Sequence, residues 1–236
     1  MQTLERADIE SVTFGGHNGT VTGVRGYQNY DITDDSITAV NNPTDKRPWT
    51  DTKVKSDFFT EVFDSVSPNT YVDFGSNLGY YVFWAAQRGI PSMGIDYNQE
   101  YISVCNAVKA RHSIEHATFV NTNLQSSLAY VTPKDFMTVF NVIHHLYNRT
   151  EKYMDMHRLI GDFAMLANDV LFEVPTEKDS KGHKWTMDTG YTEALFVSAA
   201  QEIFDSVERI DGQTQHRPYY LCRNSKLTFK NKGAQK

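Results

Sequence analysis

A carboxylate followed by a glycine turn is the part of this sequence best suited to chemistry. The segment 71–79 reads Tyr-Val-Asp-Phe-Gly-Ser-Asn-Leu-Gly, and an apolar run, Tyr80 to Arg88, follows it. This pattern predicts a strand that ends at Asp73, a tight turn and a buried helix. We expect the turn to present free backbone N–H groups at the carboxyl end of a sheet strand, where open α/β sheets bind ligands. Gly75 and Gly79 suit a backbone that must approach a ligand closely.

The spacing of the glycines narrows the choice of ligand. A dinucleotide fingerprint requires G-x-G-x-x-G, but Asn77 and Tyr80 occupy its second and third glycine positions. The Gly-Lys-Ser/Thr of a Walker loop is also absent. A second predicted strand, Ser92 to Asp96, ends in another carboxylate, which could accept hydrogen bonds from both ribose hydroxyls of a nucleoside.

The ordered set Asp73, Gly75, Asn77, Gly79 and Asp96 resembles motif I, with the acidic residue after it, of the class I S-adenosylmethionine-dependent methyltransferases. The resemblance extends over residues 54–224. It implies S-adenosyl-L-methionine as cofactor and a Rossmann-like α/β fold, with a seven-stranded, mostly parallel sheet whose last strand is antiparallel. The cofactor-binding residues that it implies are Asp73, Gly75, Ser76, Asn77, Gly79, Asp96, Tyr97, Asn123, Leu124 and Asn141.

Two of these assignments depend on position after a strand. The resemblance places Asn123 at the adenine amino group, with Leu124 against the ring, although an Asn in an ordinary turn is the alternative. It also places Asn141, after the fourth strand, beside the methionine moiety of the cofactor.

The catalytic candidates are His144, His145 and Glu173. The two histidines follow the fourth predicted strand, and an imidazole that titrates near neutral pH can take the proton of a hydroxyl acceptor. A histidine that only shapes the pocket is the alternative. Glu173 ends the fifth strand and could orient a histidine or bind acceptor hydroxyls, or it could be a solvated acid. The sequence has no N/D-P-P-Y/F and no Pro-Cys, which disfavours methylation of a base amino group or of cytosine C5.

Contacts to the acceptor are expected from two loops. Residues 41–52 carry Trp49, and the polar segment 176–190 carries His183 and Trp185, at a place where class I methyltransferases insert elements that contact the substrate. Sugars are bound by stacking on aromatic rings and by planar polar side chains, for which Trp49, Trp185 and Glu173 are candidates.

Composition limits the partners. The 236 residues carry a net charge of −6, which disfavours long nucleic acid, since its binding relies on Lys and Arg. Cys105 and Cys222 lack metal-ligand spacing, so neither a zinc site nor a disulfide framework is expected, and no metal is required. The N-terminus has no apolar signal-peptide core, and no apolar run is long enough for a membrane span, so the cytoplasm is the simplest compartment.

We predict three segments: a β-rich N-terminal extension at 1–50, a methyltransferase domain at 51–228 and a flexible tail at 229–236. A lid, an oligomer contact and a packed edge are all compatible with the two or three short strands expected in the extension. The other helices are expected at 54–66, 99–112, 151–168 and 191–204, and the remaining strands at 117–120, from 135, at 169–174, 207–210 and 219–222.

The leading functional hypothesis is an S-adenosylmethionine-dependent O-methyltransferase that acts on a hydroxyl of a sugar, a glycan or a related small polar acceptor. The first alternative is an RNA methyltransferase acting on tRNA or a cap, with Lys46, Arg47, Lys53 and Lys55 as its basic footprint. The second is a catalytically silent protein that keeps the fold and binds a partner through the extension.

Overall fold

The computed structural model describes residues 14–15, 20–22, 28–33, 35–40, 52–176, 189–211 and 217–227. The chain forms two compact units, Met1–Thr122 and Asn123–Lys236. The segment boundaries predicted at residues 50 and 228 remain predictions.

The first unit begins with a small antiparallel sheet. Its strands, each paired with the next, are β1 (Phe14–Gly15), β2 (Thr20–Thr22), β3 (Asn29–Ile32) and β4 (Ile37–Ala39). The N-terminal β extension is therefore confirmed, but the expectation of two or three strands is wrong. Strands of two to four residues are defined by their pairing, which an alternating pattern does not reveal.

Helix α1 (Thr52–Val66) begins two residues before the predicted start. Its buried face includes Phe59, Val62 and Phe63, whereas the predicted apolar positions Val54 and Phe58 are half-buried. The Phe59 ring packs edge-on against the rings of neighbouring aromatic side chains, so the helix is held mainly by aromatic contacts.

The rest of the first unit alternates strands and helices. Its elements are β5 (Tyr71–Phe74), α2 (Tyr80–Ala86), β6 (Ser92–Asp96), α3 (Gln99–Arg111) and β7 (Ala117–Asn121). The strands are parallel, in the order β5–β6–β7. All seven residues of α2 are buried, as its unbroken apolar sequence predicts. The Asn98 side chain accepts the Glu100 N–H and so caps the start of α3.

The second unit continues with α4 (Leu124–Ser127), β8 (Lys134–Val139), α5 (Ile143–Leu146), α6 (Met156–Leu166), β9 (Ala167–Glu173), α7 (Glu193–Ile203), β10 (Phe204–Ile210) and β11 (Tyr219–Ser225). The single helix predicted at 151–168 is wrong. A 3₁₀ turn, Glu151–Tyr153, comes first, and the Asp155 side chain then caps α6 by accepting the His157 N–H.

Strand directions establish the fold class. Within the second unit the order is β10–β11–β9–β8, and β11 runs antiparallel to both of its neighbours. Strand β9 is parallel to β8. The seven strands of the main sheet are therefore mostly parallel with an antiparallel end, as predicted. No helix within the described ranges combines the length and the apolar character needed to span a membrane.

Candidate active site

In the glycine turn between β5 and α2, three residues at alternate positions have a left-handed backbone. The φ angles are 81° at Gly75, 49° at Asn77 and 82° at Gly79. Glycine adopts this region without strain, and Asn tolerates it better than most residues, which explains why these types recur in the turn. The chain thereby reverses from the strand into the helix within five residues.

The expectation that this turn presents free N–H groups is wrong at five positions. Gly75 and Ser76 donate to the Ile95 carbonyl, at 2.8 and 3.0 Å, and Gly79 donates to the Ser76 carbonyl. The Asn77 N–H donates to Asp96 Oδ2, and the Tyr80 N–H donates to the Gln28 side chain. Because a buried donor without an acceptor is costly, the protein satisfies these groups itself.

Packing also constrains Gly79. A Cβ at this position would lie 2.7 Å from Phe119 Cε1 and 3.0 Å from Cys105 Sγ. The absent side chain thus faces the core under the turn, and close packing by itself requires glycine here.

Asp96 ties the turn to the end of β6. Its Oδ2 accepts the Asn77 N–H and its Oδ1 accepts the Asn98 N–H, both at 2.9 Å. The side chain is buried, and this burial raises the pKa of the carboxyl group, although the backbone N–H donors oppose the shift. Each carboxylate oxygen has a second lone pair, so the group can still accept hydrogen bonds from a ligand hydroxyl.

Two buried polar atoms beside Asp96 indicate what the turn can hold. Ser76 Oγ and Asn77 Oδ1 make no hydrogen bond within the described part of the chain. Buried polar atoms without partners are rare in folded proteins and mark places where a ligand or water completes the structure. Together a hydroxyl, an amide oxygen and a carboxylate suit the hydroxyl and ammonium groups of the ribose and amino-acid parts of an adenosyl cofactor.

Cys105 is a residue whose role the sequence did not indicate. We expected an ordinary buried thiol, and the side chain is indeed fully buried. However, its Sγ donates to the Asn77 carbonyl at 3.4 Å, directly under the turn. Burial, and then the nearby charges of Asp96 and Asp73, raise the pKa of the thiol well above its usual range, so it stays protonated as a donor.

Of the other residues predicted to bind the cofactor, Asp73 is buried at the end of β5, and Tyr97, after Asp96, is 83% exposed. Asn123 is exposed, and its Oδ1 accepts the Ser126 N–H to cap α4. Leu124 is buried in the first turn of that helix.

The second unit contains a buried polar cluster around Arg217, which the sequence did not reveal. Arg217 is 2% exposed, and its guanidinium donates to Asn141 Oδ1. Asn141 has a left-handed φ of 58°, and Glu173 pairs in register with Tyr219. The pKa of the Tyr219 hydroxyl is raised well above its usual range by burial and then by the charge of Glu173, whereas Arg217 lowers it. Glu173 and Arg217 therefore share one buried environment.

The histidine pair lies on the short helix α5. His144 is 5% exposed, whereas His145 is exposed, and their ring centroids are 4.0 Å apart. The two rings are therefore neighbours, one inside the protein and one at its surface.

Three predicted acceptor contacts, Trp49, His183 and Trp185, lie outside the described residues, as do Lys46 and Arg47. Of the remaining two members of the predicted basic footprint, Lys53 is exposed but Lys55 is only 6% exposed. Lys55 is thus unavailable for a surface contact to RNA. The described ranges contain no cluster of three or more His, Cys, Asp or Glu side chains that could hold a metal ion.

Comparison with known proteins shows what this fold is similar to. Residues 72–162 match the family model described as a methyltransferase domain. The resemblance predicted from the sequence is therefore confirmed: this segment is similar to methyltransferase domains, and the main sheet has the Rossmann-like strand arrangement expected of the S-adenosylmethionine-dependent class I enzymes.

Among curated proteins the chain is similar to the O-antigen chain terminator bifunctional methyltransferase/kinase WbdD of Escherichia coli. The identity is 26% over 139 residues, which are 55% of this chain and 19% of that protein. The chain thus spans less than a fifth of the curated relative that it matches.

Solved structures share the fold. A crystal structure of WbdD has a TM-score of 0.62 at 22% identity, and the match covers 74% of this chain and 40% of that one. The N-terminal domain of EvdMO1, crystallised in the presence of SAH and D-fucose, has a TM-score of 0.57 at 13% identity, with 78% and 85% covered. A TehB-like SAM-dependent methyltransferase from Corynebacterium glutamicum has a TM-score of 0.53 at 12% identity, with 78% and 90% covered.

Proposed function

We propose that this protein transfers a methyl group from S-adenosylmethionine to a hydroxyl oxygen of a sugar or glycan. The observation that carries the cofactor part of the proposal is the tie between Asp96 and the glycine turn. Asp96 keeps acceptor capacity at the end of β6, beside the buried Ser76 Oγ and Asn77 Oδ1, which have no partner in the described chain. Such an arrangement suits the polyhydroxylated end of a nucleoside.

The individual roles proposed for the cofactor-binding residues come from the resemblance noted in the sequence. Asp96 would accept the ribose hydroxyls, and the exposed Tyr97 would cover the adenine ring. Asn123, at the start of α4, would contact the adenine edge, and Asn141, oriented by Arg217, would contact the amino-acid part. When bound, S-adenosylmethionine supplies a methyl group activated by a sulfonium.

His145 is the proposed general base. It is exposed, so an acceptor hydroxyl can reach its imidazole, and an uncharged imidazole can take the acceptor proton while the oxygen gains the methyl group. The buried His144 ring supports it from 4.0 Å away. His144 would then act as a positioning residue and not as the base.

The acceptor class rests on the relatives and on the buried polar cluster. WbdD is named as an O-antigen chain terminator, and the EvdMO1 domain was crystallised in the presence of D-fucose. Glu173 and Arg217 provide a carboxylate and a guanidinium, planar groups that form paired hydrogen bonds with neighbouring hydroxyls. The burial of Lys55 removes part of the footprint expected for RNA.

Calorimetric titration with S-adenosylhomocysteine tests the cofactor assignment. We expect binding by the wild type and a loss of about tenfold or more in Asp96→Ala, because the variant loses the carboxylate and its charge-assisted hydrogen bonds. Asp64→Ala is a matched control, because Asp64 is an exposed carboxylate that pairs with Arg88 on the surface. If the wild type does not bind, the chain is a silent member of the fold, and the proposal is wrong.

Methyl transfer to a panel of glycan, free-sugar and tRNA acceptors tests the second part. Transfer to a sugar hydroxyl, reduced in His145→Gln by about 100-fold, is the expected result. Exclusive transfer to tRNA would replace the proposed acceptor class. Full activity in His145→Gln with loss in His144→Gln would exchange the roles of the two histidines.

A further inference from the structure

The N-terminal extension contacts the cofactor turn through two buried hydrogen bonds. Tyr30, on β3, donates its hydroxyl to the Leu78 carbonyl at 2.6 Å. Gln28 Oε1 accepts the Tyr80 N–H at 2.8 Å. Both partners belong to the segment that joins the glycine turn to α2, and all of these residues lie within the first compact unit.

These contacts replace interactions that the turn cannot make itself. Gly79, the N-cap residue of α2, has no side chain that could accept a helix N–H. The Tyr80 N–H, at the first position of the helix, therefore needs an acceptor from elsewhere. Gln28 supplies it from 52 residues away. Leu78 lies between two left-handed residues, Asn77 and Gly79, and Tyr30 holds its carbonyl in place.

The surrounding packing makes the arrangement rigid. Tyr30 is fully buried, and its ring lies 5.9 Å from that of Tyr80 and 6.2 Å from that of Phe83. Ile32, on the same strand, is also buried. Burial raises the pKa of the Tyr30 hydroxyl well above its usual range, so it remains a donor at any working pH. A strand packed in this way is part of the unit's core, in contrast to a lid that opens over a substrate.

We infer that Gln28 and Tyr30 are positioning residues for the cofactor: the N-terminal extension sets the conformation of the Asn77–Gly79 backbone and thereby the affinity of the turn for S-adenosylmethionine. This inference rests on the proposed function and adds to it. The sequence of the extension is compatible with a lid, an oligomer contact or a packed edge. The hydrogen bonds of Gln28 and Tyr30 agree with a packed edge, and this edge holds the glycine turn.

Paired variants separate positioning from folding. Gln28→Met removes the acceptor at similar volume, and Gln28→Glu keeps an acceptor in the same place. Tyr30→Phe removes only the hydroxyl. Tyr153→Phe is the matched control, because that buried hydroxyl also makes one internal hydrogen bond, to Asp162 Oδ2 at 2.9 Å in the second unit.

The dissociation constant for S-adenosylhomocysteine and the melting temperature are measured for each variant. We expect Gln28→Met and Tyr30→Phe to raise the dissociation constant about five- to tenfold, with Gln28→Glu close to wild type. Tyr153→Phe should lower the melting temperature as much as Tyr30→Phe does, without changing the dissociation constant. Native-state hydrogen exchange at the Asn77 and Tyr80 amides should be faster in Tyr30→Phe and unchanged in Tyr153→Phe.

Three results would overturn the inference, and each can be told from the others. Wild-type binding with equal dissociation constants in all four variants would refute the positioning role and leave the proposed function intact. Absence of binding by the wild type would refute both. Equal losses in Gln28→Met and Gln28→Glu would also refute the role of the acceptor at position 28.

Discussion

Substitution of Gly79 by alanine should destabilise the protein more than an equally strained substitution elsewhere. Gly79 and Gly89 have nearly the same left-handed backbone, with φ angles of 82° and 79°. A Cβ at Gly79 would lie 2.7 Å from the Phe119 ring, whereas a Cβ at Gly89 would have no neighbour within 4 Å in the part of the chain that the structure describes. The pair therefore separates steric crowding from backbone strain.

The expected magnitudes follow from these two contributions. The left-handed conformation of a residue with a Cβ costs about 1 kcal/mol at either site. Overpacking of a tight core costs about a further 1–3 kcal/mol at Gly79 alone, because Phe119 is itself confined by the Phe83 ring, 4.9 Å away. The free energy of unfolding should thus fall by about 2–4 kcal/mol in Gly79→Ala and by about 1 kcal/mol in Gly89→Ala.

Equilibrium unfolding in urea, followed by circular dichroism, measures both losses. Gly190→Ala is a second control, since its φ of 67° is also left-handed and a Cβ there would meet no atom of the described residues within 4 Å. Equal losses of stability in all three variants would refute the conclusion that Gly79 is required by packing. Unchanged binding of S-adenosylhomocysteine by folded Gly79→Ala would show that the turn tolerates displacement by the core.

Three further predictions concern charge and hydrogen bonding. Burial raises the pKa of Asp96, and ribose hydroxyls favour its ionised form. The affinity for S-adenosylhomocysteine should therefore be full at neutral pH and fall as the pH drops through that raised pKa. Calorimetry across pH tests this expectation, and a flat profile would contradict it. Arg217→Lys should reduce methyl transfer at least about tenfold in a kcat assay, because lysine lacks the planar fork that holds Asn141, and unchanged activity would remove Arg217 from the site. Asp162→Leu should lower the free energy of unfolding in urea by about 3 kcal/mol, because the largely buried Lys152 and the Tyr153 hydroxyl lose their shared acceptor. A loss below about 1 kcal/mol would refute this expectation.

Sequence patterns were sufficient where local rules dominate. The unbroken apolar run of α2 and the turn residues Gly75 and Gly79 predicted a strand, a turn and a buried helix, because burial on all sides and left-handed φ angles leave direct marks on residue type. The boundaries of the helix predicted at 151–168 were missed, because the Asp155 cap begins α6 and pairing with β8 draws Ala167 into β9.

The residues of the candidate site likewise fall into those with a local sequence signal and those without one. The carboxylates Asp73 and Asp96 are recognisable in the sequence because each follows an apolar strand and precedes a turn. Arg217, in a polar loop 76 residues after its partner Asn141, carries no local signal of its burial. The same holds for the thiol of Cys105 under the turn.

By itself, then, the sequence determined the class of fold, the glycine turn and the two acids at the strand ends, since strand ends, glycines and apolar runs are encoded by neighbouring residues. Only the tertiary structure decided which groups accept the backbone hydrogen bonds of the turn. Ile95, Asp96 and Gln28 accept them, and the Phe119 ring fills the space under Gly79. In these pairings buried donors meet acceptors, and side chains fill space, between residues that lie 19 to 52 positions apart, which no local pattern records.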